Sequence, residues 1–389
     1  MLRTKSLKIF WRLVCPALSL FFMACSGGGA GNTFSNPSAV AIDSTNDRIF
    51  ISEPAGIFFA YTASTFTGLG DQPLVDSETA TDIYDLLPGT VTRMAVYANG
   101  SSSRLFIFGS FDDDSGNAVF NRVLVLDFDG VSFAQSDISP IILSDSDDAT
   151  DETDDSIADA IVDQTNGLLY VSDASAGKVF VVSTSDGSAV DSYVVAGEPQ
   201  GIALCDDRLY VCNSSSVAEE QVVSVINVTD DSTSSIDIGS TCSRLEVKSN
   251  DSMTLLIAKD NDANQVFLES VDTSTFAAVT AVTSASTDYA DGVLSAGAGI
   301  SSTIEDFQIG KTSSGTLTAY FSEEDGNIEY IEFGDSGYVF ETLSTSATVI
   351  TQGATLTASD GSDSKIFFTA EAGGVIDIDV GTTSVDIHD

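Results

Sequence analysis

Carboxylates, amides and a few cations must carry any chemistry in this chain. It holds 58 Asp and Glu, 15 Lys and Arg and one His in 389 residues. The histidine, His388, is one residue from the end. No Cys–His or Ser–His partnership is therefore available, and imidazole ligation of zinc or haem is excluded from the body. Two loops concentrate acids: Phe111-Asp112-Asp113-Asp114-Ser-Gly-Asn117, and residues 145–155 with Asp147, Asp148 and Asp151. Ca²⁺ takes roughly six to eight hard oxygens at flexible geometry, so Asp112, Asp113, Asp114, Asp147, Asp148 and Asp151 are candidate ligands. Neither loop has the glycine and closing glutamate at the places an EF-hand requires, and a solvated acidic loop is the alternative.

The N-terminus carries a different chemistry. Arg3, Lys5, Lys8 and Arg12 precede an apolar run from Leu13 to Met23, followed by Ala24-Cys25-Ser26. A cationic start, a short apolar core and a small residue before the cut describe an export signal. The run contains Pro16 and is too short to cross the ~30 Å hydrocarbon core as a helix. The cysteine after the cut resembles that of bacterial lipoproteins, which implies acyl chains on Cys25 and anchoring in a membrane. Ser26, in place of the Asp that holds such proteins at the inner membrane, implies the outer membrane, facing the periplasm or the cell surface. The expected layout is a signal over 1–24, a Gly-, Ser- and Asn-rich tether over 25–38 and a folded domain over 39–389.

No acid but four of the fifteen bases precede Cys25, leaving 58 acids against 11 bases and a net charge of −47. Such a surface repels nucleic acid and anionic headgroups and suits a saline setting. The 43% hydrophobic content argues for a packed core rather than a disordered chain.

The elements behind these residues are short strands in repeats. Asn36–Asp43 leads through a turn into Arg48-Ile-Phe-Ile-Ser-Glu53. Ile157–Asp163 leads into Leu168-Leu-Tyr-Val-Ser-Asp173, and Glu198–Leu204 into Arg208-Leu-Tyr-Val-Cys-Asn213. Weaker copies pair 93–97 with 104–108, 244–247 with 254–257, 306–309 with 318–323, and 354–357 with 365–369. Third and fourth strands follow, as in Gly177–Val182 and Ser188–Val195. Four antiparallel strands per unit, at a period of about forty residues or more, predict an all-β propeller, here of seven blades. Residues 64–91 and 134–156 read as insertions.

The paired signatures resemble the NHL and YVTN propellers, a scaffold that implies a fold and no single activity. In a propeller, positions opening each inner strand ring the channel mouth: Arg93, Asp159, Arg244 and Asp306 among them. Positions after the second-strand signature are expected beside them: Glu53, Asp173, Asn213 and Glu323. Arg93 and Arg244 are predicted either to pair with Asp159 and Asp306 or to grip an anionic ligand. Cys212 and Cys242 fall near one face of adjoining blades, where a disulfide or two free thiols fit. The expected function is a non-enzymatic binding module of the envelope, with a protein or glycan partner. A Ca²⁺-dependent hydrolase similar to the gluconolactonase and regucalcin propellers, carried by Glu53, Asp173 and Asn213, is the alternative. The tryptophan pattern of quinoprotein blades is missing, since Trp11 is the only tryptophan.

Overall fold

A computed structural model of the chain describes residues 37–53, 57–66, 75–76, 87–112, 118–119, 122–143, 157–215, 217, 222–238, 241–250, 254–259, 265–271, 278–281, 293–295, 304–323, 326–334, 337–344, 349–357, 363–371 and 374–388. Among these, every regular element is a strand, and the strands form seven antiparallel sheets. Each sheet uses one unbroken stretch of sequence and is ordered first, second, third and fourth strand outward, with extra strands in the second and fifth. The second sheet absorbs part of the expected insertions. Its first strand begins at Leu87, and Phe133–Gln135 and Ile141–Ile142 lie along its outer side.

The first strands line up in a ring: Ala39–Asp43, Leu87–Asn99, Ile157–Asp163, Pro199–Cys205, Arg244–Ser249, Ile304–Lys311 and Val349–Thr357. Each packs against the next, and the last returns to the first. The chain is thus a β-propeller, and the sheets are its blades, numbered 1 to 7 below. Apolar side chains alternate along the strands, so each sheet has two greasy faces, which only neighbouring blades can cover. Seven buried clusters fill the seven gaps, including one between blades 7 and 1 that holds Val40, Ile49, Phe367 and Val375. Phe66 meets Phe367 edge-on across that gap at 5.9 Å between ring centres. Full burial of one such side chain contributes roughly 1.5–3 kcal/mol.

The signature residues have local reasons. In blades 3 and 6 the serine of the second strand closes the opening of the first. Ser172 Oγ accepts from Asp159 N–H at 2.9 Å, and Ser322 Oγ from Asp306 N–H at 2.9 Å. Ser52 Oγ donates to Ala39 C=O at 3.4 Å in blade 1. Cys212 takes this slot in blade 4 and is bonded to Cys242. Asp43 and Asp163 cap the turn between first and second strands. Asp43 Oδ1 accepts from Asn46 N–H at 3.0 Å, as Asp163 Oδ1 does from Asn166 N–H at 3.0 Å. This side-chain turn sets the hairpin register.

Candidate functional site

Register shifts interrupt the pairing of first and second strands at Val91/Arg93, Ile157/Asp159, Pro199/Ile202, Ile304/Asp306 and Ile350/Gly353. An irregularity of this kind bends a strand and re-aims a side chain. Here it recurs in five blades at the end where the site residues stand. Arg93 Nε pairs with Asp159 Oδ1, and Arg244 Nε pairs with Asp306 Oδ1. Both pairs run from one blade to the next. Each aspartate then reaches a third blade: Asp159 Oδ2 accepts from Ile202 N–H at 3.1 Å, and Asp306 Oδ2 from Gly353 N–H at 2.6 Å. Asp159 and Asp306 are buried, while the side chains of Arg93 and Arg244 retain 24% and 13% exposure. The Arg244 guanidinium also lies over the Phe307 ring, 5.6 Å from its centre.

The inner strand of blade 5 alternates. Leu245 and Val247 enter the core, and Arg244, Glu246 and Lys248 take the other face at intermediate exposure. Burial pushes the Glu246 carboxyl up to about 7, against the opposing pull of Arg244, Lys248 and Arg93. Burial lowers Arg93, partly offset by Asp159, and the nearby positive charge of Arg244 lowers it further. Burial alone would also lower Arg244, but Asp306, Asp159 and Glu246 together hold it above the usual guanidinium value. Lys259, on the second strand of blade 5, is lowered by burial. Two donors of this cluster are unmatched among the described residues: Nη1 and Nη2 of Arg244 are enclosed and meet no acceptor there. The sequence reading missed Glu246 and Lys248, although the period-two charges of Arg-Leu-Glu-Val-Lys were the available signal.

The second set of expected mouth residues, Glu53, Asp173, Asn213 and Glu323, ends the second strands at the end of the blades where the first strands begin, and all four are buried. Asp173 Oδ1 caps its own turn, accepting from Ser175 Oγ at 2.7 Å and Ala176 N–H at 3.0 Å. Asn213 Nδ2 donates to Val222 C=O at 2.8 Å and Ser224 Oγ at 3.0 Å, tying second strand to third. Among the described residues no three Asp, Glu, His or Cys side chains are grouped to hold a metal ion. Of the loop acids, Asp113, Asp114, Asp147, Asp148 and Asp151 lie outside the described residues. So does Cys25. Asp112 ends a strand whose description there covers the backbone alone.

Cys212 and Cys242 form a disulfide between blades 4 and 5, with Cα atoms 5.3 Å apart. Cys242 N–H donates to Asn213 C=O at 3.1 Å, and Gly201 N–H to Ser243 C=O at 3.0 Å, so the covalent link is flanked by backbone bonds. Away from the axis, other cations also bind blade to blade. Arg48 donates to Ser103 Oγ at 2.9 Å and Ser101 C=O at 2.8 Å. Arg104 grips Asp127 through two bonds of 2.7 and 3.0 Å and donates to Thr184 C=O at 2.8 Å. On the inner strand of blade 5, Lys248 pairs with Asp363 at 2.5 Å, spanning blades 5 and 7. A groove of about 380 Å³ opens on the outer side between blades 2 and 3, lined by Ile141, Ile142, Lys178, Phe180, Val190 and Asp191.

No family model matches the chain, and no curated protein matches it. Among solved structures it is similar to hydrazine synthase of Kuenenia stuttgartiensis, at 12% identity and a TM-score of 0.50, over 90% of this chain and 79% of that one. It is also similar to BamB from Moraxella catarrhalis, at 13% identity and a TM-score of 0.48, over 87% of this chain and 81% of that one. At such identities the likeness is one of fold alone.

Proposed function

We propose that the chain is an exported lipoprotein whose propeller is a non-catalytic binding module of the cell envelope, held to the outer membrane by acyl chains on Cys25. The observation that carries the binding half is the charged cluster at the axis. On the inner strands Arg93 and Arg244 each pair with an aspartate of the next blade, and among the described residues Arg244 Nη1 and Nη2 meet no acceptor. The rest of the ring's polar groups described above serve the blades themselves. The anchoring half is carried by residues 1–26, with Cys25 after a short apolar core. An NHL- or YVTN-like scaffold fits the repeated second-strand signature.

Two measurements test this reading. Mass spectrometry of the purified mature chain should show an acylated cysteine at its amino terminus, and Cys25→Ala should move the protein from the membrane to the soluble fraction. Capture from envelope extract by the parent protein should retain a protein or glycan that the Arg93→Gln/Asp159→Asn variant loses. An unmodified Cys25 ends the anchoring half, and an identical set of captured components ends the axial binding half.

A further inference from the structure

The chain contains two Asn-Gly pairs, Asn99–Gly100 and Asn166–Gly167. In this dipeptide the asparagine side chain is most open to attack by the next backbone nitrogen, because glycine brings no Cβ into the way. Both asparagines are exposed, so access to water does not separate them. Hydrogen bonding does. Asn166 Nδ2 donates to Asp163 Oδ2 at 2.7 Å, and Asn166 N–H to Asp163 Oδ1 at 3.0 Å. Gly167 N–H, the nitrogen that would attack, donates to Asp163 C=O at 2.9 Å. Thr184 holds the Gly167 carbonyl, donating from its N–H at 3.0 Å and from Oγ1 at 2.8 Å. A Cβ on Gly167 would meet that same Oγ1 at 3.3 Å. The other pair is free of such ties. Asn99 faces Ser102 across a two-residue tip, Gly100-Ser101, where Gly100 has a φ of +63°. Among the described residues neither the Asn99 side chain nor Gly100 N–H has a hydrogen-bond partner. A Cβ on Gly100 would meet nothing within 4 Å.

We propose that Asn99 is a site of spontaneous deamidation in the folded protein, and that Asn166 is protected from it. The Gly100 nitrogen, giving its proton to solvent base, attacks Asn99 Cγ. The N–Cγ bond forms, the Cγ–Nδ2 bond breaks, and ammonia leaves after taking up a proton. Water then opens the cyclic imide at either carbonyl, giving aspartate or isoaspartate at position 99. The rotation that ring closure needs is confined to the exposed tip and the Asn99–Ser102 pair. Asn166 must first give up its bond to a carboxylate, and Gly167 its own bond. A hydrogen bond to a charged group is strong enough that breaking it slows a reaction by about tenfold or more. Isoaspartate also lengthens the main chain at the last pair of the hairpin. That tip is held from both neighbouring blades: Arg48 of blade 1 donates to Ser101 C=O at 2.8 Å, and Gln164 Oε1 of blade 3 accepts from Ala98 N–H at 2.9 Å. Conversion therefore loosens the seams on either side of blade 2.

This inference goes beyond the binding reading and needs no ligand. The full chain in detergent is incubated at mildly alkaline pH, folded in one sample and unfolded by guanidinium chloride in another. Both Asn-Gly peptides are followed by mass spectrometry with separation of the two aspartyl isomers. The folded chain should convert Asn99 at least about tenfold faster than Asn166, into a mixture of both isomers. The unfolded chain should convert the two sites at similar rates, because only the dipeptide acts there. Asp163→Ala should speed conversion at Asn166 and leave Asn99 unaffected. Protein carrying isoaspartate at position 99, separated from the parent by its added charge, should unfold at a lower urea midpoint. A ratio of rates no greater in the folded chain than in the unfolded one overturns the proposal. So does an Asn99 that survives folded while the unfolded chain loses it. Aspartate as the sole product overturns the cyclic route, and an unchanged midpoint overturns the loosened seams.

Discussion

Glu246 is held in the fold at a proton affinity foreign to an ordinary glutamate, with a pKa of about 7 against 4.5. Between those two values the unfolded chain releases a proton that the folded chain keeps. Rising pH therefore removes stability through that window, and the penalty is constant above it. The difference is worth about 3 kcal/mol at pH 8. Glu246→Gln should be more stable than the parent by up to that amount at pH 8 and equal to it near pH 4, as measured by urea unfolding at both values. At this scale the sequence was partly legible. Arg93, Arg244, Asp159 and Asp306 stood out because cations are scarce and both aspartates open a strand. That each aspartate also reaches the backbone of a third blade was not legible, because Ile202 and Gly353 offer only an N–H, which leaves no mark in residue type. That Asp173 caps its own turn was not legible either, because a polar residue after a signature looks the same whether it faces a channel or closes a turn.

At the scale of the element, the inner strands approach so closely that side chains do not fit between them everywhere. A Cβ on Gly201 would lie 2.6 Å from Arg244 Cα and 2.9 Å from Leu245 N. Both are backbone atoms of the next blade, so Gly201→Ala must push strands apart. It should destabilise the protein by about 2 kcal/mol or more, read as a lower urea midpoint. The same junction carries the disulfide, whose cysteines are 30 residues apart in sequence. Closing a loop of that length stabilises by about 3.6 kcal/mol in the chain-entropy account. Cys212→Ser/Cys242→Ser should lose about that much, and the parent should lose it on reduction. Strand pairs were largely readable, since the recurring Leu-Tyr-Val run is the continuous apolar stretch of a strand buried on both faces. The outer strands of blade 2 were not, because Phe133–Gln135 and Ile141–Ile142 are too short to show any period.

Over the whole molecule, 58 acids against 11 bases after Cys25 make a self-repelling shell. Salt screens that shell over about 10 Å at 0.1 M, while the enclosed axial pairs feel it little. The thermal midpoint should therefore rise with sodium chloride, by about 5 °C between about 20 and 500 mM, rather than fall as it would if exposed ion pairs held the fold. A flat or falling midpoint would assign stability to surface pairing instead. The ring itself was inferable because each blade is insoluble alone.

Among the described residues no sheet borrows a strand from a distant part of the chain, and the seventh lies against the first through side chains such as Phe66 and Phe367. A ribosome can therefore release the blades one after another, each finishing its ladder before the next begins. Only the seam must wait for the final residues. A join made of contacts rather than shared ladders can also be reopened, so a duplicated blade inserted there would disturb no existing strand pair.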